Sequence, residues 1–122
     1  MKNEITLSGI TYIPKSELKT KINTTGTRYC IVRTYSAGVF AGNINTEKII
    51  NKKGTVLNAR RLWQWEGAAS LSQLAMEGTK KPNECRFPCE VDSVELTEII
   101  EVISCTEEAK ASIASVPIWE IK

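Results

Sequence analysis

Two glycine-containing turns, each between segments rich in β-branched and aromatic residues, constrain the fold of this chain most strongly. The first turn, YSAG at residues 35–38, separates RYCIVRTY from VFAGNINTEKII. The second, NKKG at residues 51–54, has Asn at its first position and Gly at its fourth, and leads into TVLNARRLWQW. Segments of this composition favour strands, and Gly38 can adopt the positive φ that a tight turn requires. The pattern predicts an antiparallel meander of three strands.

Two short helices are predicted after the meander. The first spans residues 68–77, and Gly78 stands where a C-cap glycine belongs. Its apolar residues at helical spacing are Leu71, Leu74 and Ala75. The second begins after Thr106, a typical N-cap residue followed by two glutamates, and runs to about Ser115 before Pro117 ends it. The intervening residues 79–88 carry two prolines and are predicted to form a loop.

Three further segments are predicted to be strands. They are ITLSGITYI at residues 5–13, CEVDSVELTEIIEVISC at 89–105, and a short IWEI at 118–121. The second forms one long strand or two short ones, bulged near Thr97 and Glu98. A polar segment with a helical turn at Ser16 connects the first strand to residue 28. The prediction is a single domain of residues 1–122, of α+β class, dominated by antiparallel sheet.

Composition excludes several classes of protein. A chain of 122 residues, 42% hydrophobic and 25% charged, is typical of one globular domain. It has no apolar run near the roughly 20 residues that span a membrane, and its start, MKNEITLSGI, lacks a signal-peptide pattern. We therefore expect a cytoplasmic protein. A net charge of +2 is too small to commit the whole surface to nucleic acid, so any anion site must be local.

The chain has no histidine, and this removes the commonest general base and the commonest metal ligand. We expect no catalysis, no cofactor and no metal. Cys85 and Cys89, spaced C-x3-C, could begin a zinc site, but Cys30 and Cys105 would have to complete it from apolar strand patterns. The favoured prediction is four reduced cysteines that serve as small buried hydrophobic residues.

The stretch LNARRLWQWEGAASLSQLAMEG, residues 57–78, places an amide, two arginines and two tryptophans together. In a regular strand, alternate side chains share a face. One predicted face holds Leu57, Ala59, Arg61, Trp63 and Trp65, and the other holds Val56, Asn58, Arg60, Leu62 and Gln64. The first face would pack on the core with Arg61 at its rim or in a cavity. Asn58 and Arg60 are predicted on the more open face.

This cluster has two interpretations. It is either a packed strand whose exposed arginine lies over an aromatic ring, or the wall of a nucleotide site. Three details favour the second interpretation: Arg33 and Tyr35 at the start of the first turn, Phe40 after it, and the helix entry GAAS with its backbone amides. The candidate ligand-binding residues are Arg33, Tyr35, Phe40, Asn58, Arg60, Arg61, Trp63 and Ser70. Neither a G-x-x-x-x-G-K-[ST] motif nor a G-x-G-x-x-G motif is present.

The strings YCIVRTYSAGVFAG, NARRLW, GAASLSQLAMEG and FPCEVDSVELTEIIEVI, within residues 28–122, resemble small phage and prophage proteins of the first Thoeris anti-defence family. The resemblance implies a non-enzymatic sponge that sequesters glycocyclic ADP-ribose signals made by TIR-domain immune enzymes. It implies a homo-oligomer built from dimers, up to a hexamer, and a separate intersubunit site for cyclic trinucleotides. It also implies ligand contacts from NARRLW, with Trp63 or Phe40 at the adenine and Ser70 at a phosphate.

Two alternatives stay open. A nucleic-acid-binding domain would also use arginines and aromatic rings, with steep salt dependence and affinity that rises with oligonucleotide length. A structural phage protein would use the aromatic face for assembly and would bind no nucleotide tightly. Uncovered strand edges in so small a domain predict dimerisation in either case.

Overall fold

The computed structural model describes residues 26–122. This part of the chain contains five strands and two α-helices, which are β1 Arg28–Thr34, β2 Val39–Ile44, β3 Gly54–Arg61, α1 Leu71–Glu77, β4 Glu90–Leu96, β5 Ile99–Ser104 and α2 Glu107–Ser115. Short 3-10 turns occupy Thr46–Lys48 and Pro82–Glu84. The predicted α+β class and antiparallel sheet are confirmed. The strand predicted at residues 5–13 and the turn at Ser16 lie outside the described residues.

The sheet curls back on itself. Its strand order is β4-β3-β2-β1-β5, and every neighbouring pair is antiparallel. β4 and β5 thus lie at opposite edges, although only Thr97 and Glu98 separate them along the chain. The Ile99 amide donates to the Lys52 carbonyl in the β2–β3 turn, and the Tyr35 amide donates to the Glu98 carbonyl. The predicted irregularity at Thr97 and Glu98 is therefore the bend through which one long segment reaches both edges.

Two hydrophobic clusters lie on the two faces of the sheet. The inner face, enclosed by the curl, receives side chains from all five strands, namely Cys30, Val32, Phe40, Ile44, Val56, Ala59, Leu96 and Ile99. The helix-covered face packs strand residues against both helices, chiefly Ile31, Ala41, Leu62, Leu74, Ala75, Ala109 and Ile113. Strict alternation along β1 explains this division, because even-numbered residues point inward and odd-numbered ones outward. Each large aliphatic side chain buried in this way stabilises the fold by about 1.5–3 kcal/mol.

The two predicted turns are present, one of them displaced by a residue. Gly38 has a φ of 98°, as the first turn requires. The second turn closes between Ile50 and Lys53 instead of between residues 51 and 54. Its central residues, Asn51 and Lys52, have φ values of 53° and 66°. Positive φ at both central positions matches the twist of a two-residue hairpin, and asparagine tolerates it.

Each α-helix begins directly after an N-cap residue with a hydroxyl side chain. The Ser70 hydroxyl accepts the Gln73 amide, so α1 begins at Leu71, later than predicted. The Thr106 hydroxyl accepts the Ala109 amide at the start of α2. The predicted IWEI strand is wrong, because Ile118 forms only an isolated parallel bridge. Among residues 26–122, no helix has the length and hydrophobicity needed to cross a membrane.

Candidate functional site

A bulge in β3 determines which side chains can form a site. Asn43 pairs with Leu57 and Ala41 pairs with Arg60, so β3 has one residue more than β2 over this stretch. The extra residue is accommodated at Asn58, whose φ is 51°. Gly42 lies opposite, where a Cβ would be 2.6 Å from a Val56 methyl and 2.8 Å from the Leu57 carbonyl oxygen. The bulge therefore needs glycine on the neighbouring strand.

The bulge overturns the predicted faces of β3. An extra residue reverses the direction of every side chain that follows it. Ala59 thus joins Val56 on the inner face, and Arg60 turns toward the helices. Arg61 turns the other way and lies over the inner-face ring of Phe40. The two arginines therefore lie on opposite faces of the sheet and cannot hold one phosphate group together.

Arg60 has a structural role, and the prediction that it lies on an open face of β3 is wrong. The side chain is only 7% exposed. Its guanidinium donates to five carbonyl oxygens at 2.7–3.2 Å, those of Phe87, Pro88, Ile113, Val116 and Pro117. Within residues 26–122 no carboxylate forms an ion pair with it, and burial lowers the pKa of Arg60. The peptide carbonyl groups stabilise the positive charge. By binding carbonyls of both segments, the guanidinium links α2 and the residues after it to residues 87 and 88.

A groove of about 440 Å³ lies between the bulge and α2. Its lining residues are Tyr29, Asn43, Asn58, Arg60, Glu90, Lys110, Ala114, Val116 and Ile118. The volume falls within the roughly 300–1,000 Å³ typical of small-molecule sites. The Asn43 amide nitrogen lies 3.4 Å from the Asn58 amide oxygen and donates to it. Among the described residues of the lining, two cationic side chains and one carboxylate give a net positive charge.

Lys110 and Tyr29 form one wall of this groove. The Lys110 ammonium lies 5.5 Å from the centre of the Tyr29 ring. Burial raises the pKa of Tyr29 well above its ordinary value, Cys105 raises it further, and Arg60 opposes the rise. The phenol is therefore neutral at physiological pH, where it can donate or accept a hydrogen bond. Lys110 is exposed and provides the movable cation of the groove.

Of the eight predicted site residues, Asn58 and Arg60 line the groove. Arg33 forms an ion pair with Glu101 at 2.8 Å on the exposed outer side of β1. Tyr35 is 78% exposed in the first turn. The structure does not bring these residues to the groove.

The other predicted residues have local partners. The Arg61 guanidinium lies 4.4 Å from the centre of the Phe40 ring and donates to the Ala37 carbonyl. The Trp63 ring stacks on Trp119 with centroids 4.8 Å apart. Ser70 caps α1, and the Ala69 amide donates to Gln73, so these groups of the predicted phosphate-binding entry already have partners.

Sequence reasoning missed the four other polar residues of the groove, namely Tyr29, Asn43, Glu90 and Lys110, and its three apolar ones. Asn43 carried a signal, because it is a polar residue beside a glycine inside a predicted strand. Lys110 looked like any exposed lysine on a helix. These side chains come together only through the pairing of β1 with β2 and the packing of α2, which no local pattern specifies.

The cysteines also occupy different regions. Cys30, Cys85 and Cys105 are buried, as predicted, but Cys89 is exposed. Cys30 belongs to the inner face, whereas Cys105 belongs to the helix-covered face, so the four thiols do not converge. Within residues 26–122, no group of three or more metal-ligating side chains is present.

A second hollow, of about 710 Å³, lies beside the β2–β3 hairpin. It is lined by Thr27, Asn45, Lys48, Ile50, Asn51, Lys53, Gly54, Thr55, Leu57, Glu95, Leu96 and Thr97. Most of these side chains are exposed and several come from the turn itself. It contains none of the predicted site residues. Although it is larger, we place the candidate site in the groove, where the strand bulge and a buried cation meet.

A family profile described as a domain of unknown function, DUF6948, matches residues 27–113. The chain belongs to the DUF6948 family. The DUF6948 match includes all five strands and the bulge, and it ends at Ile113, before the groove residues Ala114, Val116 and Ile118. No curated protein and no solved structure matches the chain. The description of DUF6948 assigns no activity.

Proposed function

We propose that this protein binds a small anionic nucleotide in the groove, holds it without chemical change, and so sequesters it. The observation that carries the proposal is the pair of hydrogen-bonded amides, Asn43 and Asn58, in the same groove as the Lys110 ammonium. Amide groups can donate to and accept from a base edge or a ribose, and an ammonium group attracts phosphate. The net positive lining adds a long-range attraction for an anion.

The chemistry of the groove favours binding over turnover. The Tyr29 phenol holds its proton because burial raises its pKa, and Arg60 already donates to five carbonyl groups. Among the described residues that line the groove, Glu90 is the one carboxylate, and no second carboxylate and no histidine is there to pair with it. General acid–base catalysis needs a positioned partner for each proton that moves. A groove with these groups is suited to holding a ligand.

The biological part of the proposal rests on the resemblance to Thoeris anti-defence proteins. In that setting the ligand is a cyclic ADP-ribose-type signal made by a TIR-domain enzyme, and sequestration occurs in the cytoplasm of an infected bacterial cell. A homo-oligomer and a separate site for cyclic trinucleotides are part of the same proposal. Among residues 26–122, β4 and β5 are the edge strands of the sheet, and pairing with a second copy would cover such an edge. Light scattering should then give at least twice the mass of one chain.

The decisive experiment captures the ligand. Purified protein is incubated with an extract that contains TIR-derived signals, washed and heat-denatured, and the released compounds are identified by mass spectrometry. Release of an intact cyclic ADP-ribose isomer supports sequestration. Accumulation of a cleaved product in excess over protein would show an enzyme, and affinity that rises with oligonucleotide length would show a nucleic-acid-binding domain.

Variants locate the site. Lys110→Ala should weaken binding about tenfold, because a charge-assisted hydrogen bond to phosphate is lost. Asn58→Gly removes the amide while retaining a residue that adopts positive φ, so it should weaken binding with little effect on folding. Lys80→Ala, an exposed lysine on neither lining, is the matched control. If Lys48→Ala weakens binding and Lys110→Ala does not, the site is the hollow beside the hairpin.

A further inference from the structure

The C-terminal strap, residues 116–119, forms part of the groove wall. It follows α2 as extended chain, and its Ile118 makes a parallel bridge with Phe87. The Trp119 amide donates to the Phe87 carbonyl at 3.0 Å. Val116 and Ile118 both line the groove. The strap lies beyond Ile113, where the family match ends, so this wall is not part of what the profile describes.

The start of the strap is held by a buried contact. The Arg60 guanidinium donates to the Val116 carbonyl at 2.7 Å and to the Pro117 carbonyl at 3.2 Å. Val116 itself is only 3% exposed and packs in the helix-covered cluster. Hydrogen bonds from a charged donor are about twice as strong as neutral ones. This end of the strap is therefore fixed.

The far end is held by an exposed contact. The Trp119 ring lies parallel to Trp63, with centroids 4.8 Å apart and an interplanar angle of 9°. The Arg86 guanidinium lies 5.8 Å from the Trp119 ring centre. Trp63 and Trp119 remain 54% and 46% exposed. Separating two half-exposed rings costs far less free energy than withdrawing Val116 from the core, so the Trp119 end is the weaker attachment of the strap.

We propose that the strap is the movable wall of the groove, and that the Trp63–Trp119 stack sets the rate at which a bound ligand leaves. The inference rests on the proposed function of the groove as a ligand site. When the stack separates, the bond from the Trp119 amide to Phe87 breaks and Ile118 moves away from the groove. Pro117 is the pivot, because Arg60 holds its carbonyl. Trp63 and Trp119 are thus positioning residues that act through Ile118.

The test compares dissociation rates, with cyclic ADP-ribose as the probe. Trp119→Ala and Trp63→Ala should each release the probe about threefold to tenfold faster, a range that corresponds to the loss of one aromatic pair. The association rate should change little, and Trp119→Phe should restore slow release because it keeps a stacking ring. Ile121→Ala, at a fully exposed position outside the strap, is the matched control.

A measurement without ligand tests the same contact. Trp63→Ala retains the Trp119 amide, so hydrogen exchange at that amide should be about threefold to tenfold faster than in the parent if the stack holds the strap down. Equal exchange rates overturn the inference. If the parent binds the probe and all variants release it at the parental rate, the strap inference is wrong while the proposed function stands. Failure of the parent to bind the probe removes the proposed function for that ligand, and the gating role with it.

Discussion

Arg60 and Arg61 are neighbours in the chain, yet they belong to two physically different regions. Arg60 is enclosed beneath α2, where five carbonyl oxygens accept hydrogen bonds from its guanidinium. Arg61 is exposed and lies over the Phe40 ring at the other face of the sheet. The two side chains have the same chemistry, so their different surroundings come from the bulge at Asn58, which directs them to opposite faces of the sheet. Four predictions test this difference, from the largest expected effect to the smallest.

Replacing Arg60 should have the largest effect. Arg60→Met keeps an apolar stem but removes all five hydrogen bonds to these carbonyl groups, so the free energy of unfolding should fall by about 3–5 kcal/mol. Arg60→Lys should recover only part of this, because an ammonium cannot reach so many acceptors. Urea unfolding measures both. A loss below about 1 kcal/mol for Arg60→Met would show that the hydrogen bonds of Arg60 contribute little to stability.

The helix-covered region should also make stability sensitive to high pH. Burial raises the pKa of the Cys105 thiol from 9.0 to about 12. Below pH 9 the thiol is neutral in both states, whereas above it the unfolded chain loses the proton first. Stability is therefore complete below pH 9 and falls as the pH rises toward 12, by at most about 4 kcal/mol.

Urea midpoints between pH 8 and 11 measure this loss, and Cys105→Ala should flatten the slope. Cys89→Ala, which removes an exposed thiol, is the matched control and should leave the slope unchanged. Burial also raises the pKa of Cys30 and of Tyr29, so some slope will persist in Cys105→Ala. An identical slope in parent and Cys105→Ala would show that this thiol is not the source.

The third prediction concerns the bulge itself. Gly42→Ala would place a Cβ 2.8 Å from the Leu57 carbonyl oxygen, a backbone atom that cannot rotate away, so it should cost about 2 kcal/mol. Gly54→Ala is the control, because its nearest atoms, at 3.1–3.5 Å, are isoleucine side-chain carbons and not backbone atoms, and it should cost less than about 1 kcal/mol. Equal losses for the two variants would show that the bulge does not depend on Gly42.

The smallest effect is expected in the exposed region. Arg61→Ala removes a stacking contact over Phe40 at a solvent-exposed position and should lower the free energy of unfolding by less than about 1 kcal/mol. Ligand binding in the groove should be unchanged, because Arg61 faces away from it. A loss of binding equal to that of Lys110→Ala would mean that the ligand site includes the opposite face of the sheet.

Local signals in the sequence predicted much of the fold. The turn at Gly38, the cap at Thr106 and the irregularity at Thr97 and Glu98 each depend on residues close together in the chain. The curl of the sheet could not be predicted in this way, because β5 pairs with β1 across a separation of many residues. The IWEI strand was predicted wrongly for the same reason. A strand needs a partner strand with a free edge, and residues 118–121 find only one bridge, to Phe87.

The site was predictable only in part. Asn58 was identified from its neighbours, but its position depends on a bulge whose only local sign is an asparagine that tolerates positive φ. This one extra residue reverses the faces of the sheet to which Arg60 and Arg61 point. Asn43 and Lys110 meet Asn58 through strand register and helix packing, so they became visible as site residues only in three dimensions.

The bend at Thr97 and Glu98 has a consequence for synthesis on the ribosome. β1, β2 and β3 are complete once residue 61 has left the exit tunnel, but the segment that closes the sheet ends at Ser104. Until then, the nascent chain presents Val32, Phe40 and Val56 without the strand that encloses them. Non-local strand pairing is slow and leaves apolar surface open to aggregation. The growing chain thus passes through a vulnerable interval of about 43 residues, which is roughly 2–9 s at 5–20 residues per second.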